Sequence, residues 1–187
     1  IFEQKPEVLL VDKHPNYQST QHGIELTKKW NINLYNIQHH KAHFATVLGE
    51  HNLFEDDNIL GVIWDGTGYG DDGNIWGGEF FRYNSRNIER LTHFEYFNWI
   101  SGDKMSKEPR LSLFSLVDES FSEVINSKFT SEELKVLSII KKSNKLKTSS
   151  FPTINRFSSK AVEIVKSNLL FSIQSSIVLV ECPTVYP

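Results

Sequence analysis

Cysteine is nearly missing from this chain: Cys182 is its single thiol. That excludes an internal disulfide and every four-cysteine zinc finger. An excess of basic charge is missing too. Twenty Lys and Arg stand against 23 Asp and Glu, a net charge of −3, and the lysines are scattered rather than clustered. Such a surface offers no positive field for nucleic acid. No apolar run approaches the ~20 residues that span a bilayer, and no charged-then-apolar leader opens the sequence. Together these absences predict a cytoplasmic protein that has neither nucleic acid nor membrane among its partners. The first residue is Ile1 rather than Met, which fits a fragment or a processed product. At 187 residues and 39% hydrophobic, the chain can fill one domain and a helical appendage, whereas two full domains would be crowded.

What is present is concentrated in two places. Three of the seven histidines fall within five residues, as His39-His40-Lys41-Ala42-His43. On a helix, His39 and His43 share one face about 6 Å apart along the axis, close enough for two neutral imidazoles to grip one ion. The same pair on a solvent-facing helix would simply be polar decoration, with His40 and Lys41 pointing to water. The second place follows residues 58–64, a short uncharged apolar run of the kind expected of a central strand buried on both faces. That strand is expected to end at Asp65. Gly66, Gly68, Gly70 and Gly73 follow, and positive φ there would let backbone N–H groups turn toward a phosphate. A hairpin turn built on Asp-Gly chemistry is the plainer alternative. A calcium loop is excluded, because the twelfth position counted from Asp65 is Trp76 where an EF-hand needs a bidentate Glu.

Periodicity and turn residues give a coarse order of elements. Strands are expected at 7–12, 33–38, 58–65, 74–83 and 88–97, the last two joined by the polar Asn84-Ser-Arg-Asn87 turn. Helices are expected at 16–30, with Asn16 or Ser19 as cap, at 41–51 and at 110–117 behind Glu108-Pro109. Further helices are expected at 120–127, 131–142 and 159–167, with Thr130 or Ser131 before Glu132-Glu133 as a start signal. Residues 1–117 would form an α/β unit, and 118–187 a helical segment with a divergent tail. The helices of 118–167 would cover the sheet or face a partner. The apolar run 169–180 reads as an edge strand.

The sequence also resembles a known family. His39-His40-Lys41-Ala42-His43, then Leu60-Gly-Val-Ile-Trp-Asp-Gly-Thr-Gly-Tyr-Gly-Asp-Asp-Gly-Asn-Ile-Trp-Gly-Gly-Glu79, is similar to the HypF carbamoyltransferases of nickel–iron hydrogenase maturation. The likeness extends upstream through Asp12-Lys-His-Pro-Asn-Tyr-Gln-Ser-Thr20 and downstream to Gly102-Asp103 and Glu108-Pro109-Arg110, about residues 5 to 116, and weakens beyond Phe114. Lys147-Thr-Ser-Ser150 only faintly matches the family's later Ser-Ser segment. The acylphosphatase, zinc-finger and adenylate-forming regions of full-length members have no room here.

The resemblance implies an actin-like ATPase (ribonuclease H-like) lobe with a mixed sheet. It implies a divalent metal (zinc or iron) on His39, His43 and Asp65, and ATP or carbamoyl-adenylate with its phosphates lined by Gly66, Thr67, Gly68, Tyr69 and Gly70. Lys107 and Arg110, at a helix start, are candidates to neutralise anionic charge, and Asp65 would be both ligand and catalytic group. Glu79 is a candidate to orient a ligand histidine, and His14 and Tyr17 match the upstream motif without an assigned role. The implied activity carries a carbamoyl group, drawn from carbamoyl phosphate and ATP, to the C-terminal cysteine of a HypE-type partner, with the isolated fragment expected to be inactive. The alternatives are a non-enzymatic metal-binding or partner-docking module and a metal-dependent phosphohydrolase.

Overall fold

The structure, a computed structural model, describes residues 5–117 and 122–150 and the strand Ile177–Glu181. It opens with strand β1 (Val8–Asp12), helix α1 (Gln18–Trp30) and strand β2 (Asn33–Ile37). The strands pair in parallel with Asp12 opposite Ile37. Helix α1 lies close against them because Gly23 has no side chain: a Cβ there would stand 2.4 Å from Val11 Cγ1. The N-cap of α1 is Tyr17, whose side chain makes no capping bond, in place of the expected Asn16 or Ser19.

Helix α2 (His39–Glu50) follows β2 after one residue, Gln38, whose side chain caps it by accepting from Lys41 N–H. The helix therefore begins two residues earlier than 41, with His39 in its first turn. It rests on a six-stranded mixed sheet containing β3 (Ile59–Tyr69), β4 (Ile75–Asn84), β5 (Asn87–His93), β6 (Phe97–Asn98), β7 (Lys147–Thr148) and β8 (Ile177–Glu181). The order is β6-β7-β4-β3-β8, with β5 on β4. Ser85 and Arg86 both take positive φ (48° and 61°) between the paired Asn84 and Asn87, the geometry a two-residue hairpin loop requires.

Among the described residues, two apolar clusters form the core. Phe44 and Leu48 of α2 meet Ile59, Ile63, Trp76, Phe81 and Tyr83 of the sheet. Phe44 is fully buried, and its ring occupies the place of a side chain at Gly61, where a Cβ would lie 2.7 Å from three ring carbons. Burying a Phe of this kind stabilises by roughly 1.5–3 kcal/mol, so this contact fixes the histidine helix to β3. The second cluster joins Phe97, Trp99 and Ile100 to Met105, Leu111, Ile125, Phe129 and Leu137. Its helices are α3 (Lys104–Lys107), α4 (Pro109–Leu116), α5 (Ser122–Lys128) and α6 (Ser131–Ser143), the last closed by a capping box between Thr130 and Glu133. The one-turn α3 has no counterpart in the periodicity.

β3 departs most from expectation. It does not end at Asp65 but runs on to Tyr69, with a register shift between Trp64 and Gly68 and renewed pairing of Gly68 with Trp76 and Tyr69 with Ile75. Antiparallel pairing to β4 overrides the turn-like composition. In the run 169–180, residues 177–180 belong to β8, a strand parallel to β3 at one end of the strand order. Residues 169–176 and the helix expected at 159–167 lie outside the described residues.

Candidate metal centre

His39 enters the site from the first position of α2, His43 from one turn later and Asp65 from the middle of β3. Nε2 of His39 and Nε2 of His43 are 3.0 Å apart, with the rings nearly perpendicular at 84°. Asp65 Oδ2 lies 3.1 Å from His39 Nε2 and 3.8 Å from His43 Nε2. Three ligand atoms, two imidazole nitrogens and one carboxylate oxygen, thus converge within 4.8 Å of one another. This donor set suits a divalent cation of intermediate softness and supplies three protein ligands, the number that leaves further coordination positions for a substrate. The residues fit the metal that the sequence implies.

A second layer fixes the ligands. Asp12, the last residue of β1, places Oδ2 3.1 Å from His39 Nδ1, while its Oδ1 accepts from His14 N–H at 2.7 Å. His40 Nε2 lies 2.9 Å from Asp65 Oδ1. His40 is fully buried, correcting the expectation that it could point to solvent. Gly68 makes room for both rings: a Cβ there would meet His40 Cε1 at 2.5 Å and His39 Cδ2 at 2.7 Å.

Burial and neighbouring charge act on each group of the cluster. Burial alone would raise the pKa of Asp65, but hydrogen bonds from His39 and His40 outweigh it and hold the carboxyl far below the usual range. The hydrogen bond with Asp65 raises His39, with Asp12 adding to the effect. Burial lowers His43, helped by the charge of His39, so the second imidazole favours the neutral form that binds metal. Tyr17 sits nearby. Its phenol is pushed upward by burial and by the charges of Asp12 and Asp65, and its ring stacks on His14 at 4.2 Å with 4° between planes. His14 in turn meets Tyr69 edge-on at 5.2 Å.

The glycine segment has a different shape from the expected phosphate cradle. Among the described glycines, only Gly73 and Gly102 have positive φ. Gly70 N–H donates to Asn74 O at 2.9 Å, and the carbonyls of Gly66 and Tyr69 accept from Ser150 and Gln38. The turn lies at 70–74, and Gly66, Thr67, Gly68 and Tyr69 run as strand past the His39–His43–Asp65 cluster, with Thr67 exposed.

The structure does not join the remaining candidates to this cluster. Lys107 is the last residue of α3. Arg110 donates to Lys128 O at 2.6 Å, pairs with Glu108 and Glu133, and lies 4.8 Å over the Phe129 ring, all within the helical unit. Glu79 does not orient a ligand histidine. Its carboxylate is fully buried and taken up by Ser149 Oγ, the N–H groups of Gly77 and Gly78, and Arg90 Nε at 2.5 Å. The carboxylate from outside the cluster that does lie against one of its histidines is Asp12, which sequence reasoning passed over. The available signal was its position at the carboxyl end of a strand, where α/β folds gather ligands.

Comparison with known proteins shows what the chain as a whole is similar to. A family profile described as the HypF Kae1-like domain matches residues 1–50. A second, described as the carbamoyltransferase Kae1-like domain, second subdomain, matches residues 61–153, so the likeness continues past the point where the motifs fade. A probable carbamoyltransferase HypF of Methanocaldococcus jannaschii is 37% identical over 139 residues, which is 71% of this chain and 18% of the relative. The crystal structure of full-length HypF in a phosphate- and nucleotide-bound form superposes with a TM-score of 0.67 at 33% identity, covering 79% of this chain and 19% of that one. HypF of T. kodakarensis gives 0.63 at 34% identity, covering 77% and 21%. The chain therefore spans about a fifth of the length of the proteins it matches.

Proposed function

Because this chain belongs to the HypF carbamoyltransferase family, we propose that His39, His43 and Asp65 hold the divalent cation, zinc or iron, of a carbamoyl-transfer centre. The observation that carries this reading is the convergence of three ligand atoms from two elements, with His39 braced by Asp12 and Asp65 by the buried His40. Bound there, the cation would supply Lewis-acid polarisation of a carbonyl. The protein groups bind and orient. Thr67, exposed two residues after Asp65, offers its hydroxyl for the phosphate of ATP or carbamoyl-adenylate. His14 and Tyr17 present a stacked aromatic wall on another side. The acceptor of this reading is the C-terminal cysteine of a HypE-type partner. Its sulfur bonds to the carbamoyl carbon as the C–O bond to AMP breaks, and the thiol proton leaves to solvent. Lys107 and Arg110 take no part in this reading, since the partners of Arg110 lie in the helical unit.

Titrating the 187-residue chain with Zn²⁺, and with Fe²⁺ under anaerobic conditions, tests the centre by calorimetry. One ion per chain is expected, with affinity falling by two orders of magnitude or more, on the order of 10²-fold, in His39→Ala and in His43→Ala. Unchanged affinity in both variants rejects the assignment. Binding of ATP separates this reading from that of a docking module, which would bind a partner but no nucleotide. Phosphate release from ATP without a carbamoyl donor would instead favour a phosphohydrolase.

A further inference from the structure

Gln38 and His40 are not ligands, yet both are buried beside the centre, at 5% and 0% exposure. Lys41 N–H donates to Gln38 Oε1 at 2.9 Å, and Gln38 Nε2 donates to Tyr69 O at 3.1 Å. A backbone N–H can only donate and a carbonyl can only accept, so these two contacts settle which end of the amide is oxygen and which nitrogen. The other hydrogen of Gln38 Nε2 then faces His40 Nδ1 at 3.0 Å. Nδ1 must accept, so the ring proton sits on Nε2, and Nε2–H donates to Asp65 Oδ1 at 2.9 Å.

We propose that Gln38 and His40 form a polarity relay that commits one oxygen of Asp65 to the protein and presents the other to the cation. With Oδ1 held by His40, Oδ2 alone faces His39 Nε2 and His43 Nε2, at 3.1 and 3.8 Å. Asp65 would then offer a cation one oxygen, its other oxygen being committed to a donor fixed by the fold. The ring is locked in place, because Gly68 leaves only enough space for His40 Cε1 and the ring reaches no solvent. His40 is thus a positioning residue, and Gln38 sets its tautomer from backbone groups at the start of α2 and the end of β3. The inference rests on the metal reading above, and its test has a part that does not.

Long-range proton–nitrogen correlation spectra of the metal-free, histidine-labelled full chain read which ring nitrogen bears the proton. His40, assigned by the signal lost in His40→Gln, is expected as the Nε2–H tautomer. A proton on Nδ1, or on both nitrogens, overturns the relay. Zn²⁺ affinity supplies the second reading. His40→Leu removes the N–H and is expected to weaken binding about 10–100-fold, whereas His40→Gln can offer an amide N–H to Oδ1 and should recover most of that loss. Gln38→Leu keeps the ring but releases its tautomer. A mixture of tautomers with weaker zinc binding is expected there, and wild-type tautomer and affinity would overturn the proposal even if His40→Leu does not fold. Absence of zinc binding in the unmodified chain would overturn the metal centre itself, whereas zinc binding indifferent to His40→Leu and Gln38→Leu would overturn the relay alone.

Discussion

Asp12 Oδ2 lies 3.1 Å from His39 Nδ1, so the carboxylate that ends β1 orients the first histidine of α2. A ligand imidazole held through its far nitrogen keeps its lone pair aimed at the ion and gains basicity. Asp12→Ala is expected to weaken zinc binding by roughly 10–100-fold, with Asp12→Asn, whose amide oxygen still accepts, falling between that variant and the parent. Calorimetric titration of the three proteins decides it. Equal affinities would mean that the ring of His39 is held in place by packing alone.

Gly68 tests the fit of the rings to the strand. Its Cβ would lie 2.5 Å from His40 Cε1 and 2.7 Å from His39 Cδ2, so Gly68→Ala must push both imidazoles away. Overpacking of this kind costs typically ~1–3 kcal/mol, and here the displaced groups include a ligand, so zinc affinity should fall along with the melting temperature. Gly73→Ala is the control. Its φ is +78° with nothing within 4 Å, so it should cost about 1–2 kcal/mol of backbone strain and leave zinc affinity alone.

The histidine pair was legible because helical spacing needs only local sequence: positions four apart share a face whatever the tertiary fold. The hairpin at Ser85 and Arg86 was legible for the same reason, its polar turn lying between two alternating runs. What was not legible depended on pairing across the chain. Asp12 becomes a partner of His39 only once β1 and β2 register so that Asp12 stands opposite Ile37, two residues before His39. Gly66 to Tyr69 read as a turn because their composition is that of a turn, and renewed pairing of Gly68 and Tyr69 with β4 carries the strand through them. Glycine here serves close approach, of His40 and His39 to Gly68 and of Phe44 to Gly61, more than positive φ. His40 has the same chemistry as its two neighbours in the motif, and only burial distinguishes the brace from the ligands.

Asp72 gives the acid limb of stability a specific origin. Its carboxylate accepts from Trp76 Nε1 at 2.9 Å, Asn74 N–H at 3.0 Å and Tyr96 OH at 2.6 Å. Burial pushes its pKa up, but these donors outweigh it and hold the group at about 2, against an ordinary 3.8. The folded state then binds fewer protons than the unfolded chain. Its contribution is fully present above 3.8 and is lost as pH falls toward about 2. Urea midpoints of the parent and of Asp72→Asn should therefore differ most near neutrality and draw together through that acid interval. A constant gap across it would show that the carboxylate charge has no part in the difference.

Glu79 separates structural from ligand-orienting acids within one family motif. Ser149, Gly77, Gly78 and Arg90 satisfy both of its oxygens at zero exposure, and Arg90 also lies 3.8 Å over the Trp76 ring, so the acid joins β4, β5 and the segment after β7. Glu79→Gln replaces an oxygen by a donor that must face either Arg90 or the hydroxyl and N–H donors already there. Breaking a buried ion pair costs on the order of 3–5 kcal/mol, so a large drop in melting temperature is expected. Zinc affinity of the folded fraction should stay at the parent value, because no atom of Glu79 is bonded to a ligand. Were Glu79 instead to orient a histidine, the same substitution would lower affinity as Asp12→Ala does, and comparing the two titrations tells the roles apart.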